Sequence, residues 1–156
     1  MVLYHHTLAS QDYAWMVKRE GTGWSTPMQV TNETSGGARW SPTEDAFGYV
    51  ANGTELRIQD LKGTVKTIAR VPAPERLNGF TWSLDGRALY FKKFDGAGVG
   101  SFWMVPASGG RPRLLVTAES VAQSPTPYPI ATDGRNLFFT TSTSRTDIWL
   151  AELKSR

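Results

Sequence analysis

The stretch Trp82-Ser83-Leu84-Asp85-Gly86-Arg87-Ala88-Leu89-Tyr90-Phe91 decides the fold. Asp-Gly between two apolar runs is a turn signal, because the Asp side chain bonds the turn backbone and Gly accepts the left-handed conformation. The aromatic and aliphatic residues that follow suit a pleated, half-buried strand. The same order recurs upstream as Trp40-Ser41-Pro42-Thr43-Glu44-Asp45-Ala46-Phe47-Gly48-Tyr49-Val50. It returns downstream as Ile130-Ala131-Thr132-Asp133-Gly134-Arg135-Asn136-Leu137-Phe138-Phe139, and Leu3-Tyr4-His5 fits its end. With Leu3, Phe47, Leu89 and Leu137 as equivalents, the spacings are 44, 42 and 48 residues.

A second element follows each time at a matching offset: Ala14-Trp15-Met16-Val17, Leu56-Arg57-Ile58-Gln59, Phe102-Trp103-Met104-Val105 and Ile148-Trp149-Leu150-Ala151. A third, Met28-Gln29-Val30-Thr31, Thr67-Ile68-Ala69 and Leu114-Leu115-Val116-Thr117, closes the first three repeats and is missing after Ala151. Glycine-bearing links at Gly21-Thr22-Gly23, Lys62-Gly63 and Ser108-Gly109-Gly110 supply hairpin turns between the second and third elements. No stretch has a helical period, so the chain is all-β, and a repeat in the forties matches a four-stranded propeller blade. Thr43-Glu44 stands in the Asp-Gly place of the second repeat, which predicts a different turn there.

Trp-Ser-x-Asp-Gly, an apolar strand, an (Ile/Phe)-Trp strand, a glycine turn and a Leu-Val-Thr ending together resemble the TolB-type, WD-repeat-like β-propeller blade. The resemblance implies antiparallel four-stranded meanders ordered a, b, c, d from the axis outward. It also implies a bacterial scaffold of the periplasm or cytoplasm, a sensor domain, or the propeller of a prolyl-oligopeptidase-like hydrolase. Fold analogy of this kind reaches only a class of function. Blades are expected at about 1–31, 32–71, 72–117 and 118–156, with the first lacking strand a and the last strand d. Open ends are a liability for a repeat array. They predict a C-terminal piece of a longer propeller, with self-association into a larger ring and closure of four blades as alternatives.

Composition narrows function further. Seventeen basic and 14 acidic residues, scattered along the chain, form no stripe of the kind nucleic acids need. No apolar run approaches the ~20 residues of a membrane helix. Without Cys there is no disulfide or thiolate site. His5 and His6 are adjacent, so on a strand they point to opposite faces and do not share a metal. His5 aligns with Tyr49, Phe91 and Phe139 and reads as a packed or rim histidine. Asp85 and Asp133 occupy one repeated turn slot, and Trp15, Trp103 and Trp149 one strand slot, as structure alone requires. Trp24 falls outside any repeated slot. Gly98-Val99-Gly100-Ser101-Phe102 lacks the last glycine of a hydrolase elbow. The glycine-rich Gly96–Gly100 segment leads into a strand, unlike a phosphate loop.

The expected function is therefore a non-enzymatic scaffold, needing no cofactor or metal, that binds a protein or peptide through the loops at one mouth of the ring. A regulatory propeller of a hydrolase and a small-ligand or sugar-binding propeller are the alternatives. Arg39, Arg76, Arg87, Arg135 and Tyr128 are the expected contacts, because they flank the first strand or its turn in successive blades. The segment from Lys92 to Ser101 is expected to be an enlarged, mobile b–c loop, with the polar Ser142–Asp147 as its counterpart.

Overall fold

The computed structural model describes residues 1–118 and 130–140. Those residues form strands and turns without a helix. The first sheet holds β1 (Val2–Leu8), β2 (Gln11–Val17) and β5 (Met28–Gln29), with a two-stranded ribbon of β3 (Arg19–Glu20) and β4 (Gly23–Trp24) between β2 and β5. The second runs β6 (Ser35–Trp40), β7 (Ala46–Ala51), β8 (Glu55–Asp60), β9 (Val65–Arg70). The third repeats this as β10 (Arg76–Trp82), β11 (Ala88–Phe94), β12 (Gly100–Pro106), β13 (Arg113–Thr117). A last pair, β14 (Ala131–Thr132) and β15 (Leu137–Phe138), begins a further sheet. Neighbours within every sheet are consecutive and antiparallel apart from the β3–β4 insertion. These are meanders, as the repeat predicts.

The core lies between the blades. Leu56, Ile68, Phe80, Leu89, Phe91 and Val105 join the second and third sheets in one buried cluster, and Phe47, Tyr49 and Ala51 gather Leu3, Val30 and Trp40 between the first and second. Gly48 makes room for this contact: a Cβ there would stand 2.9 Å from the ring of Phe80. Trp82 reaches across blades to donate its indole N–H to the Arg39 carbonyl at 3.2 Å.

The turns after strand a behave as their sequences imply. Asp85 accepts from the Arg87 N–H at 3.1 Å and the Ser83 hydroxyl at 2.6 Å, with Gly86 at φ +70°. Asp133 accepts from Arg135 and Asn136 N–H at 2.9 and 2.6 Å, with Gly134 at φ +89°. In the second blade the Ser41 hydroxyl caps Thr43 and Glu44 instead, and neither residue takes a positive φ.

Three expectations need correction. Strand β11 continues through Phe94 and β12 resumes at Gly100, so the enlarged loop shrinks to Asp95–Val99. Asp95 stiffens that turn by accepting the Ala97 and Val99 N–H groups at 2.9 and 2.8 Å, and Gly96 packs so closely on Pro74 that a Cβ would lie 2.6 Å from its ring. Gly21-Thr22-Gly23 does not simply link the second and third elements, because it forms the tip of the β3–β4 ribbon. The first repeat is also displaced by one residue. Tyr4, not His5, lies opposite Trp15 as Tyr49 lies opposite Arg57 and Phe91 opposite Trp103. Because strand side chains alternate faces, that step puts His5 on the opposite face from the one its alignment implied.

Candidate functional site

Each meander has two ends, and the links divide between them. The a–b turns (Ser41–Asp45, Ser83–Arg87) and the c–d turns (Leu61–Thr64, Ala107–Pro112) share one mouth. The b–c turns (Asn52–Thr54, Asp95–Val99) and the d–a link (Val71–Glu75) share the other.

At the second mouth Leu77 N–H donates to the Gly53 carbonyl of the preceding blade at 2.8 Å, tying adjacent blades together, and Val71 N–H donates to the Thr54 carbonyl at 3.0 Å within the second blade. Arg76, Asn78, Phe94, Pro74 and the Asp95 turn surround an open depression of about 670 Å³. Arg76 is exposed, while Asn78 and Phe94 are half-buried. Beside it, Lys93 forms a 2.7 Å ion pair with Glu75 and stands 5.0 Å over the Trp103 ring. Lys93, Glu75 and Trp103 share with Arg70 and Arg111 a groove of about 240 Å³ between the second and third blades. A cationic, aromatic and hydrogen-bonding surface of this kind can receive a carboxylate or a polar peptide.

The first mouth carries a depression of about 510 Å³ lined by Glu44, Ile58, Lys66, Arg87, Ala107 and Ser108. Lys66 donates there to the Ser108 carbonyl of the next blade, at 2.5 Å.

The groove between the first and second blades, about 390 Å³, is polar. Glu33 accepts from the Tyr49 hydroxyl at 2.8 Å and from Arg57 at 2.6 Å, and Arg57 also pairs with Glu55 at 2.6 Å. Burial, reinforced by the Glu33 carboxylate, pushes the Tyr49 phenol up to about 12. Burial works to raise the Glu55 carboxyl, but Arg57 and Arg70 outweigh it and the net direction is downward. Each of these charges has a partner, and the network fastens the Glu33 link onto the second sheet, while Gln59 donates across to the Val30 carbonyl of the first blade at 2.9 Å.

The expected contact residues do not gather at one place. Arg76 and Arg87 sit at opposite ends of the β10–β11 hairpin, separated by about 20 Å at the usual strand rise. Arg87 and Arg135 are both exposed and occupy equivalent turns at the first mouth. Arg39 is half-buried in the inner strand β6, opposite Gly48. Tyr128 lies outside the described residues, as do Ser142–Asp147 and the expected third strand of the last blade. Asn78, Phe94 and the Glu75–Lys93 pair were missed. A signal existed in the alternation of Leu89, Phe91 and Lys93, which places Lys93 on the Phe91 side of the strand. Among the described residues no three His, Cys, Asp or Glu side chains cluster to hold a metal. No helix there is long and apolar enough to cross a membrane.

No family model and no curated protein sequence matches the chain. Solved structures are similar in fold. An oligogalacturonate lyase in complex with manganese superposes with TM-score 0.62 at 16% identity, over 74% of this chain and 36% of the lyase. An oligogalacturonate lyase from Vibrio parahaemolyticus gives 0.61 at 16% identity with the same coverage. A nidogen/laminin complex gives 0.61 at 10% identity over 89% of this chain and 67% of that one. The chain thus spans about a third of the lyases' length. Identities this low speak to fold alone. The class they define, with the repeated antiparallel sheets, is the β-propeller.

Proposed function

We propose that this chain is a non-enzymatic propeller scaffold of the TolB-like, WD-repeat-like kind that binds a protein or peptide partner at the mouth formed by its b–c turns and d–a link. The observation that carries the reading is the rigidity of that mouth around exposed Arg76: Asp95 fastens its own turn, Gly96 locks on Pro74, and Leu77 bonds the turn of the neighbouring blade. A surface ordered in advance loses little entropy on binding. The nidogen/laminin structure adds that a similar fold occurs within a protein complex.

A display library of random peptides selected on the immobilised chain tests this. Enriched peptides should lose at least tenfold in affinity with Arg76→Ala and be unaffected by Arg87→Ala at the opposite mouth. Equal losses from both variants, or from neither, would place the site elsewhere. A second reading, a carboxylated sugar at Arg76, is favoured by the likeness to lyases named for oligogalacturonate. Calorimetric titration with oligogalacturonate separates the two: heat that vanishes in Arg76→Ala supports the sugar.

A further inference from the structure

The grooves on either side of the second blade occupy the same place in the repeat but are filled differently. Tyr49 faces Arg57 across β7 and β8 as Phe91 faces Trp103 across β11 and β12. Glu33 precedes Tyr49 by the same number of residues as Glu75 precedes Phe91. In the first groove the Glu33 carboxylate is taken up by the Tyr49 hydroxyl and by Arg57, at 2.8 and 2.6 Å. In the second, neither equivalent can serve. Phe91 has no hydroxyl, and the Trp103 indole N–H donates to the Ser101 hydroxyl at 2.9 Å. Glu75 pairs with Lys93 instead, at 2.7 Å, and the Lys93 ammonium stands 5.0 Å over the Trp103 ring.

The second groove is therefore left without its polar plug. Ala69, Val71, Phe91 and Trp103 line it with apolar surface over about 240 Å³. That is the share of roughly eight water molecules. It suits one large side chain and falls short of the ~300–1,000 Å³ of sites that hold drug-sized ligands.

Its charge is unbalanced. Arg70 pairs with Glu55 at 2.7 Å and Lys93 with Glu75, whereas Arg111 is exposed and, among the described residues, pairs with no carboxylate. Counted through the linked pairs, Arg57, Arg70, Lys93 and Arg111 stand against Glu33, Glu55 and Glu75, an excess of one positive charge. A single carboxylate balances it, and a guanidinium receives a carboxylate through two parallel hydrogen bonds.

The groove also joins the Arg76 mouth. Glu75 and Lys93 line it, and their chain neighbours Arg76 and Phe94 line the depression at that mouth. Arg111 and Pro112 belong to the c–d link of the opposite mouth. A peptide entering past Arg76 meets the aromatic surface first and Arg111 last. We propose that this groove takes the C-terminal residue of a partner peptide, with a large apolar or aromatic side chain against Phe91 and Trp103 and the terminal carboxylate on Arg111. The inference rests on the peptide-binding reading of the Arg76 mouth and specifies which end of the peptide is recognised.

The test is fluorescence anisotropy of the whole chain with fluorescein-labelled Ser-Glu-Gly-Ser-Phe, which offers a Glu to Arg76 and a free C-terminal carboxylate. Saturable one-to-one binding is expected. The C-terminal amide of the same peptide, a version ending in Gly, and Arg111→Gln in the chain should each weaken binding at least tenfold. Arg111 is exposed, so that variant should keep the parent's urea midpoint. No binding of the acid peptide, equal affinity of acid and amide, or an unaffected Arg111→Gln would overturn the proposal. So would 3-phenylpropionate displacing the peptide with an affinity equal to the peptide's own, because the groove would then serve a free aryl acid. Losses with the amide and with Arg111→Gln but not with Arg76→Ala would uphold the groove and overturn the mouth. A loss with Arg76→Ala alone would do the reverse.

Discussion

Gly86 and Gly21 have nearly the same backbone conformation, at φ +70° and +58°, but different surroundings. A Cβ on Gly86 would fall 2.1 Å from the Thr43 hydroxyl, whereas nothing lies within 4 Å of one on Gly21. Gly21→Ala should therefore cost only the left-handed penalty, about 1 kcal/mol. Gly86→Ala should cost roughly 1–3 kcal/mol more through overpacking, read as the difference in urea midpoints. Lys92 makes a second test. Its side chain is buried in strand β11 and packs by Gly79, and burial lowers its pKa to about 8. Between pH 8 and the unfolded value of about 10.4, the unfolded chain binds more protons, so stability should rise with pH across that window. Lys92→Met should flatten the rise, measured by denaturation at pH 7, 9 and 10.5. Residue roles of this kind were half legible. The Asp85-Gly86 turn could be read from its dipeptide, but Lys92 looked like a loop cation because nothing local says that a lysine side chain is enclosed.

At the scale of the element, the inner strands were the least legible. Apolar and aromatic runs marked β7, β11 and β12, because burial on both faces leaves a nearly continuous signal. β6, with two glycines and an arginine in six residues, carries no such signal, since its bulge and edge position relax the pattern. The Asp95 turn shows the same limit, since a glycine-rich segment reads as mobile until its carboxylate is seen accepting two backbone N–H groups. Asp95→Ala should speed amide exchange at Ala97 and Val99 severalfold while lowering global stability by no more than about 1 kcal/mol, because the turn is exposed.

At the scale of the molecule, stability resides between blades. Phe80 belongs to β10 yet packs against Gly48 of β7, so it couples the second and third sheets. Phe80→Ala should cost roughly 3–5 kcal/mol, and hydrogen exchange should speed in β7 as well as β11, as expected of repeats stabilised by their interfaces. The Tyr49–Glu33–Arg57 contact fastens the link that leads into β6 onto the second sheet by polar means. Tyr49→Phe should cost about 1.5–3 kcal/mol, the usual worth of a hydrogen bond to a charged group. Amide exchange should speed in β7 and β8, the strands that carry Tyr49 and Arg57.

The linear sequence by itself determined the all-β class, the repeat of about forty residues and the Asp-Gly turns, because strand alternation and turn chemistry act over a few neighbouring positions. Tertiary structure alone decided that Tyr4 and not His5 matches Tyr49 and that Arg76 and Arg87 face opposite mouths. Each of these depends on register between strands or on which end of a hairpin a residue occupies. One residue of slip reverses every side chain of a strand, and such a slip leaves no mark on composition or period.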